Sequence, residues 1–226
     1  WGNVAAVGCT LILAWHKWPK VCEVCICGRL AEVHALIVFL TETFMRLDKF
    51  KNPEFDRGAS RFTEMLWIVL QGFLFSSWLP GSAWRRTLLR MFGARIGKGV
   101  VIKPRVNVKF PWRLVIGDFV WIGEQVWIDN LEMVTVGSHS CLSQGVYLCT
   151  GSHNWADPSF GLITQPIKIG EGCWVGAFAR VAPGCVFESG AVLAMHSLGK
   201  GVLQADSIHL STGTVRPRPA THRNSK

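Results

Sequence analysis

From Ile96 to Leu193 an aliphatic or large apolar residue keeps returning at steps of six: Ile96, Ile102, Val108, Ile116, Ile122, Ile128, Val136, Leu142, Leu148, Ile169, Val175, Val181, Phe187 and Leu193. Two residues before these stands a second restricted register of small or β-branched groups, among them Val100, Val106, Val120, Ser140, Cys173, Ala179 and Ala191. Glycine often follows the main position, as at Gly97, Gly117, Gly123, Gly137, Gly170 and Gly176. An α-helix repeats about every 3.6 residues and a half-buried strand every two, so neither produces this ladder, whereas the stacked hexapeptides of a solenoid do.

The irregular steps carry as much information. From Val108 to Ile116 and from Ile128 to Val136 the step is eight, and from Leu148 to Ile169 it is twenty-one. Each longer step follows a third hexad, so three hexads make one coil of eighteen residues, and all insertions leave from one edge of a triangular prism. The expected fold is an all-β solenoid, a parallel β-helix of about five coils rising about 4.8 Å each, over 96–210.

The net charge of +9 is uneven. Residues 1–44 balance, 45–95 carry nine positive and four negative charges, 96–210 carry eight of each, and 211–226 carry four positive. The neutral column lacks the basic stripe interleaved with aromatics that nucleic acid requires, so no nucleic-acid partner is expected. The basic flank suits an anionic cofactor or a peripheral contact with a membrane surface. Of the eight cysteines, Cys173 and Cys185 fall in the small inward register and read as buried thiols. A repeating core of this size needs no disulfide staples, and a reducing, cytoplasmic setting follows.

Residues 1–44 hold two apolar patches, Val4 to Trp15 and Ala35 to Leu40, each too short to span a bilayer of about 30 Å. No basic stretch precedes the first, so it does not read as a signal peptide. Cys22, Cys25 and Cys27 form a C-x-x-C-x-C cluster with only Cys9, His16 and His34 nearby as a fourth ligand, and no metal is expected there. The first methionine is Met45. Our reading is that it is the natural start and that 1–44 is translated upstream sequence.

Residues 45–95 then read as an arm and two capping helices. Thr63 to Leu79, ended by Pro80, predicts a helix about 25 Å long that packs on the column or lies in an interface. Ser82 and Gly93 bracket a second, Ala83 to Phe92, with Trp84, Leu88 and Met91 on one side and a solvated row of Arg85, Arg86 and Arg90 on the other. Both helices can cover the open edge of the first coil. After Leu193 the rhythm fades, Ile208 to Leu210 can supply one last strand, and 211–226 reads as a basic disordered tail.

The long insertion, Cys149 to Pro166, is where chemistry is expected. A loop of this length on a tight solenoid usually has a function. His153 stands at its root, held by the last rigid hexad, where a neutral imidazole can take a proton from a hydroxyl.

Leu148–His153, Asp157–Phe160 and Pro166–Gly176 resemble the left-handed β-helix, hexapeptide-repeat acyltransferases, and most of all the group acetylating colanic acid and related exopolysaccharide intermediates. The resemblance spans about Met45 to Leu210. It implies a left-handed coil, a homotrimer with active sites between neighbouring columns, and direct transfer of acetyl from acetyl-CoA to a hydroxyl of a sugar or lipid-linked sugar. It assigns His153 as general base. Trp174, Gly176 and Ala177 would lie along the pantetheine arm, with backbone N–H groups near the acyl carbonyl. Ala194 and Met195 would touch the cofactor from the next coil, and Lys200 would meet its phosphates. Asp157 orients His153, binds the sugar or simply makes a turn, and Trp155 offers an aromatic face to a sugar ring. After Leu210 this chain has Ser211–Val215 where the family carries a Gly-Asn-Pro-Ala or Gly-Thr-Pro-Ala turn.

Two other classes share the solenoid. A zinc hydratase would need His139, His153 and His196 to converge at about 2.0–2.1 Å from one metal, which their spacing disfavours. A non-catalytic solenoid would not need a long loop carrying a histidine.

Overall fold

The computed structural model describes residues 47–219 apart from Pro53. The cysteine cluster, the apolar patches before Met45 and the proposed start itself lie outside the described residues. From Arg95 the chain winds as a left-handed parallel β-solenoid with three flat faces. The first face stacks Arg95–Ile96, Leu114–Ile116, Val134–Val136, Ile167–Ile169, Val186–Phe187 and Val202–Leu203. The second stacks Val101–Ile102, Trp121–Ile122, Cys141–Leu142, Trp174–Val175, Val192–Leu193 and Ser207–His209. The third stacks Asn107–Val108, Trp127–Asp129, Tyr147–Cys149, Arg180–Val181 and Leu198–Gly199. The column therefore holds five full coils and part of a sixth.

Both registers of the ladder point inward. Val100, Val120, Leu142, Leu148, Val175, Ala179 and Cys185 are fully buried, and each coil adds the same layer of side chains to the axis. The coil persists beyond Leu193 although the rhythm stops. Gly199 takes the inward slot of the third face, so no side chain marks it, and Leu203 follows after only four residues.

Corners are made by residues in the left-handed region, each just ahead of a small inward residue: Gly99, Phe119, His139, Gly172 and Gly190 between the first and second faces. Phe119 and His139 accept a conformation that disfavours a Cβ. Their rings stack at 5.3 Å and 19°, and Phe178 stacks on His196 at 5.3 Å and 11° on the next edge. Glycine below each stack leaves room: a Cβ on Gly99 would sit 2.4 Å from Phe119 Cδ1.

Two helices close the first coil, α1 (Arg61–Leu70) and α2 (Ala83–Met91). The first is shorter than its sequence suggests. Ser60 caps it by accepting the Thr63 N–H at 3.1 Å, and it gives way to a π turn, Gln71–Phe75. The polar residues that dilute this stretch serve the open strand edge. The Gln71 side-chain oxygen accepts the Val108 N–H at 2.8 Å, Ser76 donates to the Val106 carbonyl at 2.9 Å, and the Trp67 indole donates to the Val108 carbonyl at 2.8 Å.

The arginines of α2 do not form a solvated face. Arg85 is completely buried and donates to the carbonyls of Phe75, Ser77, Leu79 and Gly81 at 2.7–3.1 Å. Arg86 donates to the Val100 carbonyl at 2.6 Å, and Arg90 to those of Ile96 and Gly97. Met91, expected on the packed side, is exposed, while Leu89 and Arg85 share the inward side. Backbone carbonyls, those of the end of the π turn and the loop after it for Arg85 and of the first coil for Arg86 and Arg90, attract a guanidinium more strongly than they do an aliphatic chain. Ser82 precedes α2 but exchanges hydrogen bonds with the backbone of Ile102 instead of capping the helix. Gly93, at φ +91°, ends the helix as expected.

The tail is ordered further than its composition suggests. The chain turns at Gly213, and Val215–Pro217 pairs antiparallel with Ser207–His209. Arg218 then donates to the carbonyls of Gly172 and Gly190 at 3.0 and 2.8 Å. Among the described residues no helix is long and apolar enough to cross a membrane.

Candidate active site

All three insertions leave the edge between the third and first faces. Buried Asn130 bridges the carbonyls of Phe110 and Arg113 at 2.7 and 3.0 Å, and Thr150, also buried, bonds the Asp129 carbonyl and the Glu132 N–H at 3.0 Å each. These rungs fix the root of the long insertion. It rises as a hairpin in which Gly151–His153 pairs antiparallel with Leu162–Thr164, placing His153 opposite Leu162.

His153 is half-buried and held in three ways. Its Nδ1 donates to the Phe160 carbonyl at 2.8 Å, because a carbonyl can only accept. Its ring lies parallel to that of Phe160, with centroids 4.2 Å apart and planes 1° apart. Phe50, from the arm before α1, meets it edge-on at 5.5 Å. In the neutral ring this bond places the proton on Nδ1 and leaves Nε2 with its lone pair, the tautomer a general base requires.

Asp157 does not reach the imidazole. Its carboxylate accepts the Ser159 N–H at 2.8 Å, and this bond holds its pKa below the usual carboxylate value. It stands exposed in a turn, and the hydrogen-bond partner of the imidazole is the Phe160 carbonyl instead. Trp155, 78% exposed, stands at the hairpin tip with no ring partner among the described residues.

A groove of about 460 Å³ runs along the edge between the second and third faces. Trp174, Gly176, Ala177, Ala194 and Met195 all line it, so five of the six positions expected to meet a cofactor converge. Ser143, Gln144, Val192, Leu193 and Ile208 complete the wall, and none of them had been expected to meet the cofactor. The Trp174 indole donates to Ser143 Oγ at 2.8 Å, which fixes the ring across the opening. Lys200 is not part of the groove; it is exposed on the next edge, after Leu198–Gly199.

Backbone donors differ from expectation in one detail. The Gly176 N–H is engaged by the Leu193 carbonyl at 2.8 Å and holds two coils together. The N–H groups of Gln144, Ala177 and Met195, all on the groove wall, make no hydrogen bond among the described residues. Fixed, unpaired amides of this kind can stabilise an oxygen that gains negative charge. Gly176 has to be small: a Cβ there would lie 2.5 Å from the Met195 backbone nitrogen.

Another cluster lies on the third face, below the hairpin. Tyr147 donates to Asp129 Oδ2 at 2.9 Å, and Lys109 lies 3.0 Å from Asp129 Oδ1. Burial, then Cys149 and Asp129, push the Tyr147 hydroxyl pKa up, so it stays protonated. His139 and His196 belong to the corner stacks, and among the described residues no three His, Cys, Asp or Glu side chains converge to hold a metal.

A hexapeptide solenoid with one histidine-bearing hairpin and a groove lined by small residues defines a class of protein before any likeness is considered. No protein-family model matches the chain. It is 42% identical over 153 residues to the putative colanic acid biosynthesis acetyltransferase WcaF of Escherichia coli K12, covering 67% of this chain and 84% of that protein. It is 31% identical over 105 residues to nodulation protein L of Rhizobium leguminosarum bv. viciae, covering 45% and 54%. Among solved structures, a hexapeptide-repeat acetyltransferase of Vibrio cholerae O1 biovar eltor, complexed with acetyl coenzyme A, shares the fold with TM-score 0.64 and 22% identity over 75% of this chain and 93% of that one. A galactoside acetyltransferase in complex with coenzyme A does so with TM-score 0.58 and 18% identity, covering 70% and 81%. The chain belongs to the hexapeptide-repeat acyltransferase family, close to the colanic-acid and exopolysaccharide acetyltransferases.

Proposed function

We propose that this protein is a cytoplasmic O-acetyltransferase that moves acetyl from acetyl-CoA to a sugar hydroxyl of a bacterial exopolysaccharide precursor. The observation that carries this reading is the imidazole of His153, pinned through Nδ1 to the Phe160 carbonyl with Nε2 left to accept a proton. WcaF of Escherichia coli, 42% identical to this chain, is named as a putative colanic acid biosynthesis acetyltransferase, which supports the substrate class.

The groove fits a pantetheine arm in volume and chemistry, with an apolar wall, an indole across its mouth and unpaired amides at Gln144, Ala177 and Met195. In the reaction the acceptor oxygen bonds to the acyl carbon as its proton passes to His153 Nε2. The carbon–sulfur bond breaks, and the departing thiolate takes that proton. The Ala177 and Met195 amides are the fixed dipoles near the acyl oxygen, and general-base catalysis of this kind contributes about 10²–10⁴-fold.

Within one chain His153 does not line the groove, since the hairpin and the groove occupy different edges of the prism. A homotrimer with sites between columns would bring the hairpin of one copy to the groove of the next. The test is acetyl transfer from labelled acetyl-CoA to a panel of free and lipid-linked sugars. His153→Ala and Gly176→Val should each be inactive alone, and co-expressing the two should restore part of the activity, because mixed trimers contain one intact site. No transfer by the unaltered protein to any acceptor, or full activity in His153→Ala, would refute the reading.

A further inference from the structure

The outer face of α1 is apolar where a surface helix is ordinarily polar. Of its ten residues only Trp67 is buried. Phe62 is 75% exposed, Met65 67% and Phe73 85%, and Ile68, Val69 and Trp78 are exposed with them. Positions 62, 65, 69 and 73 recur at steps of three and four, so they form one stripe along the helix and the π turn. Trp67 and Phe75 already anchor the element to the column, so this stripe contributes nothing to folding.

The charge around it is predominantly positive. Residues 45–95 carry nine positive and four negative charges. Two of the acids are paired, Glu64 with Arg57 and the exposed Asp56 with Arg113 at 3.8 Å. Lys49, Lys51, Arg61 and Arg95 are exposed and have no acidic partner among the described residues. Two copies meeting through this face would bring like charges together, which disfavours a second copy as its occupant.

We propose that α1 and the π turn dock the protein peripherally on an anionic lipid surface. The stripe enters the boundary between headgroups and acyl chains, and the basic residues meet lipid phosphates. The helix is too short to cross a bilayer and can only lie along its surface. In the proposed trimer, three parallel columns would carry this cap at the same end and present three stripes to one membrane. That last step alone rests on the proposed function; docking of a single chain does not.

The full chain is to be sedimented with vesicles of phosphatidylethanolamine containing about a third phosphatidylglycerol, and with phosphatidylcholine vesicles. Binding is expected to the anionic vesicles and to weaken with salt. Phe62→Glu/Phe73→Glu should weaken it by on the order of tenfold or more, and Lys51→Glu/Arg61→Glu should weaken it comparably. Both pairs are exposed, so the thermal midpoint and acetyl transfer to a water-soluble acceptor should be unchanged. Vesicle binding by a chain that transfers no acetyl group supports docking and counts only against the acetyltransfer reading. Docking is overturned if the full chain ignores anionic vesicles at low salt, or if Phe62→Glu/Phe73→Glu binds them equally well. A change of oligomeric mass in that variant also overturns it, by making the stripe an interface between copies.

Discussion

Phe160 holds His153 twice, with its carbonyl 2.8 Å from Nδ1 and its ring parallel to the imidazole at 4.2 Å. The residue itself lies at φ +50°, a conformation that aims both groups at one partner at some cost in backbone strain. Phe160→Ala keeps the carbonyl and removes the ring. In the acetyltransferase reading it should lower kcat about tenfold and leave the KM for acetyl-CoA nearly unchanged, because only the plane of the base is loosened. Steady-state kinetics with varied donor check this, and an equal loss through KM alone would count against a positioning role.

Gly176 offers a test of the groove. An added Cβ would meet backbone on three sides, at 2.5 Å from Met195 N and 2.8 Å from Ala194 C and Leu193 O. Backbone cannot swing away as a side chain can, so Gly176→Ala should destabilise by about 1–3 kcal/mol. Calorimetry should show the midpoint falling by several degrees, and donor affinity should weaken in parallel as the coils separate at the groove wall.

Arg85 makes a sharper prediction for the cap. Its guanidinium satisfies four carbonyls and has no ion-pair partner among the described residues, and burial lowers its pKa from the usual arginine value. Arg85→Lys retains charge but loses the planar fork, so several carbonyls are left unpaired at about 1–3 kcal/mol each. Hydrogen exchange should rise first in 61–93, while the solenoid core from Val120 to Leu193 keeps its protection.

Cysteine reactivity should follow burial. Burial pushes the Cys185 thiol up to about 12 and raises those of Cys173 and Cys141. An unfolded thiol ionises near about 8.5, so the Cys185 contribution to stability is complete below that pH and is lost as pH rises toward 12. Alkylation of native protein near neutral pH, mapped by mass spectrometry, should label the half-exposed Cys149 before Cys185. Unfolding in denaturant should become easier from about pH 8.5 upward.

The ladder of six was enough to read the prism, the inward registers and the common edge of all three insertions. Each coil repeats the same contacts, so a long-range packing rule appears as a local spacing. The groove residues Trp174, Gly176, Ala177, Ala194 and Met195 were named by the family resemblance and not by the spacing, and the fold brings them to one edge. What stayed hidden depends on backbone groups, which carry no residue identity. The carbonyls that draw in Arg85, Arg86 and Arg90, the Phe160 carbonyl that chooses the tautomer of His153, and the empty inward slot at Gly199 leave no mark in a pattern of side chains. Lys200 was likewise placed by the resemblance, and only the traced column shows that it follows Leu198–Gly199 on the edge beyond the third face, away from the groove between the second and third, because an edge is shared by residues distant in sequence.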